Sequence, residues 1–173
     1  MYTVLFGMLT LIGLNAPAEE TQSIEWLSWE EMIERQQEEP KKVMVDIYTD
    51  WCGWCKKLDK DVFQNQVITG IINKYYYAVK MDGEYSEDIE FEGTTFKFVA
   101  SGRRGYHELP AALMQGKMSY PTVVFLDEEI RVIQPLPGYR GASEYEGILA
   151  YFGSGAYTDT EFETFLASYE SGL

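Results

Sequence analysis

The 173-residue sequence predicts an α/β sandwich, a mixed sheet with helices on both faces. Three observations carry that prediction. Val43-Met-Val-Asp-Ile-Tyr48 is a short β-branched run, apolar on both faces, as a central strand of a covered sheet is. Helix signals stand before and after it. Pro121-Thr-Val-Val-Phe-Leu126 and Ile130-Arg-Val-Ile133, joined by a turn at Asp127-Glu-Glu129, read as an antiparallel hairpin. The length is that of one domain with a real core, and no internal repeat, low-complexity tract or linker divides it.

The elements follow in order. Met1 to Leu14 is apolar and too short to span a membrane comfortably, and the first charge is Glu19. Ala16-Pro17-Ala18 supplies the small-x-small pattern of a signal-peptidase site, so residues 1–18 read as a signal peptide cleaved after Ala18 and residues 19–173 as the mature domain. No Lys or Arg precedes the apolar stretch, and the competing reading packs Val4, Leu5, Phe6, Leu9 and Leu11 onto the core as a helix or strand. Ser28-x-x-Glu31 is a capping box and Leu27 and Met32 stand at the staple positions, so a helix runs from Ser28 to about Glu39, ahead of Pro40. After the Val43–Tyr48 strand, helical spacing continues from the cysteine segment through Leu58 and Val62. Tyr75 to Met81 is a second strand, ended by Asp82-Gly83. Ile89 to Phe98 alternates around Glu92-Gly93 like a hairpin, and His107 to Gln115 reads as a helix interrupted near Pro110. Ser143-x-x-Glu146 and Thr158-x-x-Glu161 open two more helices, the first stopping at Gly153 and the second running to the C-terminus.

Composition narrows the function. With 14 Lys plus Arg against 28 Asp plus Glu the net charge is −14, the wrong sign for a phosphate backbone, so nucleic acid is excluded as a partner. The two cysteines, Cys52 and Cys55, are too few for a disulfide scaffold. A zinc site needs two more ligands from His107 and carboxylates, a poor closed set. A c-type haem needs a histidine where Lys56 stands.

The cysteines sit where a strand hands over to a helix. At a helix N-terminus the free N–H groups and the macrodipole favour an anion, which makes Cys52 thiolate-rich; Cys55, one turn in, should be more buried and keep its proton longer. Cys52 is then the attacking thiol and Cys55 the resolving one. Asp46, the one charge inside the strand, is a candidate base for Cys55, because a buried carboxylate has a raised pKa; the alternative is a carboxylate satisfied by backbone or lysine partners. Trp51 and Trp54 should be exposed at the site, while Trp26, Trp29, Tyr75, Tyr76 and Tyr77 are mostly core. His107 reads as a satisfied polar residue rather than a catalyst. The acidic set Glu84, Glu87, Asp88, Glu90 and Glu92, followed by Lys97, Arg103 and Arg104, is either a partner-docking surface or a solvated face.

Val43-Met-Val-Asp46-Ile-Tyr-Thr-Asp-Trp51-Cys-Gly-Trp-Cys-Lys56 resembles the active-site strand and helix of the thioredoxin family, and Ser119-Tyr120-Pro121-Thr122 resembles that family's cis-proline segment. The likeness spans about Ser28 to Tyr151, and it implies a thioredoxin-like three-layer sandwich with an insertion at about 83–117 ahead of the cis-proline hairpin. It also implies a cis bond before Pro121 and a Tyr120 backbone free beside Cys52 to pair with an extended substrate, with Trp51, Gly53 and Trp54 lining the same site. Gly53-Trp54 and the signal pattern are similar to exported bacterial thiol:disulfide oxidoreductases. The resemblance therefore implies a periplasmic or otherwise exported enzyme acting on protein disulfides. Trp54 stands where the cytosolic members have proline, and it brings no cation to over-stabilise the thiolate, which favours a reductant. Both electrons pass through Cys52 and Cys55, so no metal or other cofactor is needed. A membrane electron relay is the implied donor. The rival is a non-enzymatic binding module in which the insertion recognises a partner and Cys52–Cys55 is a static staple.

Overall fold

The computed structural model describes residues 22–173, so the expected signal peptide and its alternative packing lie outside the described residues. The chain runs through β1 (Trp26–Leu27), α1 (Trp29–Glu38), β2 (Lys42–Tyr48) and α2 (Gly53–Leu58). One π-helical turn, Asp59–Phe63, extends α2, and α3 (Gln66–Tyr75) and β3 (Tyr76–Asp82) follow. Two small hairpins come next, β4 (Ile89–Phe91) with β5 (Thr94–Phe96) and β6 (Phe98–Ser101) with β7 (Arg104–His107). The remainder is α4 (Glu108–Leu113), β8 (Thr122–Leu126), β9 (Val132–Pro137), α5 (Ala142–Ser154), a 3₁₀ turn Ala156–Thr158 and α6 (Phe162–Ser168).

The main sheet has the order β1-β3-β2-β8-β9; β1 and β2 run parallel to β3, while β8 is antiparallel to both β2 and β9. β2 lies in the middle, as its two apolar faces require. Alternation along it sends Val43, Val45 and Ile47 to one face, where they pack with Trp29, Met32, Leu109 and Leu113. Met44 points to the other face, among Leu58, Val62, Phe63, Ile68, Ile72 and Leu149. Asp46 has the parity of Met44. It therefore faces the layer that contains the helix beginning beside the cysteines.

Local signals are realised where their groups meet no competitor. Ser28 Oγ accepts from Glu31 N at 3.1 Å and the Glu31 carboxylate accepts from Ser28 N at 2.8 Å, closing the capping box. Other expectations need correction. The short edge strand β1 and helix α3 went unread; Asn65 Oδ1 caps α3 by accepting from Val67 and Ile68 N. Pro110 does not interrupt α4, because it falls in the first turn, where its missing N–H costs no intrahelical bond. The hairpin expected over Ile89 to Phe98 forms as β4 and β5, turning at Glu92-Gly93, and the second hairpin, β6 with β7, follows it without having been expected. Ser143-x-x-Glu146 does not open α5, whose N-cap is Gly141; Glu146 is buried and its carboxylate accepts from Tyr169 Oη, Ser171 Oγ and Gly172 N. Thr158 lies in the 3₁₀ turn and α6 begins only after Glu161. α5 ends at Gly155, in the left-handed conformation at φ +84°, rather than at Gly153.

Candidate active site

Cys52 and Cys55 are joined by a disulfide, with their Cα atoms 5.3 Å apart. Cys52 is the N-cap of α2: its backbone is extended, its N–H donates to Thr49 O at 3.0 Å, and its Sγ accepts from Cys55 N at 3.1 Å. The expected contrast in burial is absent, since Cys52 is 4% and Cys55 3% exposed. What separates them is the amide directed at Cys52 Sγ and its place at the mouth of the helix.

Asp46 is buried, and its register partner on β3 is Lys80. Lys80 Nζ reaches Asp46 Oδ2 at 2.7 Å and also pairs with Asp59 from the π-helical turn. Asp46 Oδ1 has no hydrogen-bond partner among the described residues, and neither does the buried Thr49 hydroxyl nearby in sequence. Burial pushes the Asp46 carboxyl up to about 6, against the opposing pull of Lys80 and with a small push from Asp59. Burial pulls Lys80 down, but its two carboxylates outweigh that and hold it above its ordinary value. Asp46 is thus both lysine-paired and perturbed, joining the two readings that its sequence position left open.

Around the disulfide the rim is aromatic. Trp51 is 48% and Trp54 58% exposed. The Trp51 ring meets Tyr120 edge-on at 5.8 Å and carries the Arg104 guanidinium on its face, with Cζ 4.0 Å from the ring centroid. Trp54 leans on Tyr139 at 5.3 Å, whose ring also takes Lys57 at 5.3 Å; Lys57 is itself paired with Asp61. A side chain at Gly53 would meet open space.

The Tyr120–Pro121 bond is cis. Pro121 O accepts from Gly138 N, while the N–H and C=O of Tyr120 engage no backbone group among the described residues. The Tyr120 ring rests on Gly83, where a Cβ would stand 2.5 Å from it. His107 is buried and satisfied: its Nδ1 accepts from Leu109 N at 3.2 Å, so Nε2 carries the proton and donates to Glu87 O at 3.0 Å. Trp29 and Tyr76 are core, whereas Trp26, Tyr75 and Tyr77 are half-buried.

The sequence reading missed Lys80, Asp59, Arg104 and Tyr139. Lys80 carried a signal, as the lone charge inside the second apolar strand opposite the lone charge of the first. Arg104 stood inside a charge run, and nothing local aims it at Trp51.

A model of the Thioredox_DsbH family, described as proteins of unknown function (DUF255), matches residues 17–136. An uncharacterised protein of Caenorhabditis elegans is 26% identical over 84 residues, 48% of this chain and 12% of that protein, so the match spans a small part of that curated relative's length. Among solved structures, one titled DsbH oxidoreductase aligns with a TM-score of 0.55 at 16% identity, covering 82% of this chain and 92% of the other. A candidate disulphide isomerase from Bacteroides thetaiotaomicron aligns with a TM-score of 0.53 at 27% identity, covering 76% and 94%. The fold is thioredoxin-like.

Proposed function

The chain belongs to the Thioredox_DsbH family, and from that premise we propose that it is a thiol-disulfide oxidoreductase that reduces protein disulfides. One observation carries the reading: a Cys-x-x-Cys pair at a helix mouth, with an amide aimed at Cys52 Sγ, on the sheet face that also bears a buried carboxylate with one oxygen unpartnered among the described residues. In the dithiol form the Cys55 N–H and the helix end favour the Cys52 thiolate. That thiolate attacks a substrate disulfide; the Cys52–substrate bond forms and the substrate sulfur leaves as a thiolate. Asp46 takes the Cys55 proton, and the Cys55 thiolate then attacks Cys52 Sγ. This closes the Cys52–Cys55 disulfide and releases the second substrate thiolate. Two electrons have passed to the substrate, and a dithiol donor returns them. For an exported protein that donor is a membrane electron relay.

Reduction rather than oxidation is supported by the uncharged Trp54 and by Lys57, the cation beside it, being neutralised by Asp61. The burial of both cysteines favours the rival, a binding module with an inert disulfide. Reduction potential separates the two: a structural bridge lies below about −300 mV, a catalytic pair above it. A Cys55→Ser variant should accumulate mixed disulfides at Cys52. A low potential and no trapped adduct would overturn the enzyme reading.

A further inference from the structure

The oxidoreductase reading leaves the β6–β7 hairpin without a role, yet its first β7 residue reaches the active-site rim. Resting on that reading, we propose that Arg104 forms a specificity subsite which takes the carboxylate of an Asp or Glu flanking the cysteine of an extended polypeptide substrate.

Three observations combine. First, the guanidinium lies on the face of Trp51, the residue directly before Cys52, with Cζ 4.0 Å from the ring centroid. A guanidinium held this way keeps its in-plane N–H donors at the edges, in the fork geometry that matches a carboxylate. Second, those donors are uncommitted. Among the described residues Arg104 has neither an ion-pair partner nor a side-chain hydrogen bond, in a chain with twice as many acids as bases. Lys97 of the same inserted segment is paired with Asp88 at 2.6 Å, so local acids were at hand. Third, the position is fixed relative to the substrate track. Trp51 is braced edge-on by Tyr120, whose backbone N–H and C=O engage no other backbone group among the described residues. A strand pairing there advances about 3.3 Å per residue, so a side chain one or two residues from the substrate cysteine falls near Trp51 and Arg104.

The net charge of −14 sharpens the effect. An acidic segment is repelled by most of this surface, and the Arg104 edge is where that repulsion turns to attraction.

The test uses three disulfide-bridged peptides, identical except for Glu, Gln or Lys beside the cysteine, reduced by the wild-type protein under a dithiol donor. An exposed pair is worth at most about fivefold, so wild type should turn over the Glu peptide about threefold better than the Gln peptide in kcat/KM, less so at high salt. R104Q should bring the ratio to about one, and R104E should reverse it in favour of Lys. Each ratio is formed within one variant, so a general loss of turnover does not enter it. A Glu:Gln ratio of one in wild type, or one unchanged in both variants, overturns the subsite. Failure of wild type to reduce any of the peptides overturns the oxidoreductase reading instead.

Discussion

Under the proposed function, Asp46 is the residue where stability and chemistry pull apart. Its folded-state value of about 6 lies above the ordinary 3.8, so the folded protein binds this proton more tightly than the unfolded chain does. The contribution is therefore fully favourable below pH 4 and is lost as pH rises through 6. At pH 7 the ionised carboxylate costs about 3 kcal/mol, an upper bound because Lys80 and Asp59 rearrange with it. Asp46→Asn should accordingly raise the denaturation midpoint of the oxidised protein at pH 7 and flatten its decline between pH 4 and 6. The charges that act on Asp46 are Lys80 from β3, which favours its ionised form, and Asp59 from the π-helical turn, which opposes it, and the charge of Asp46 in turn acts on the Tyr145 phenol of α5. The same variant should slow resolution of the mixed disulfide at pH 7 on the order of a hundredfold, the usual worth of a positioned base. An unchanged pH slope of stability would sink the assignment. Asp46 was legible because one charge in an apolar strand stands out. Its partnership with Lys80 was not, because the register that faces them is a parallel pairing closed only after α2 and α3 intervene.

At the scale of elements, the segment between β3 and β8 is joined to the site through Gly83. Its N–H donates to Tyr48 O at 2.8 Å, its C=O accepts from His107 N at 2.8 Å, and its bare Cα seats the Tyr120 ring. One residue thus joins the end of β2, the end of β7 and the ring that braces Trp51. Gly83→Ala places a methyl 2.5 Å from that ring, and the ring, not the backbone, must give way. The overpacking should cost about 1–3 kcal/mol. It should also release Trp51, seen as a change in tryptophan emission together with slower peptide reduction. A variant with normal stability and unaltered emission would show that Tyr120 does not set the Trp51 position. Elements built from neighbours in sequence were readable: the Ser28 capping box forms as its spacing predicts. The Ser143-x-x-Glu146 pattern has the same spacing but fails, because the three C-terminal donors claim Glu146. A capping rule weighs only local bonds, and a buried carboxylate follows the larger number of donors wherever they come from.

Over the whole molecule, the Asp46 face of the sheet lies under helices that the C-terminal residues help to hold. Phe63, Ile72, Leu149 and Tyr145, which directly precedes Glu146 on α5, pack together in that layer. Glu146 is 2% exposed and collects Tyr169 Oη at 3.3 Å, Ser171 Oγ at 2.6 Å and Gly172 N at 2.5 Å. The terminal residues therefore act as a strap across α5, and the buried carboxylate depends on them for its hydrogen bonds. Removing residues 169–173 strips those donors and should cost about 1–3 kcal/mol, because a buried acceptor left unpaired bears its full desolvation penalty. Glu146→Ala should cost a similar amount by freeing the strap. The two changes break one interaction, so together they should destabilise the protein scarcely more than either alone. Urea midpoints of the two single variants and the double variant decide this. Additive losses would mean that the tail and α5 stabilise the fold independently and that Glu146 does not connect them.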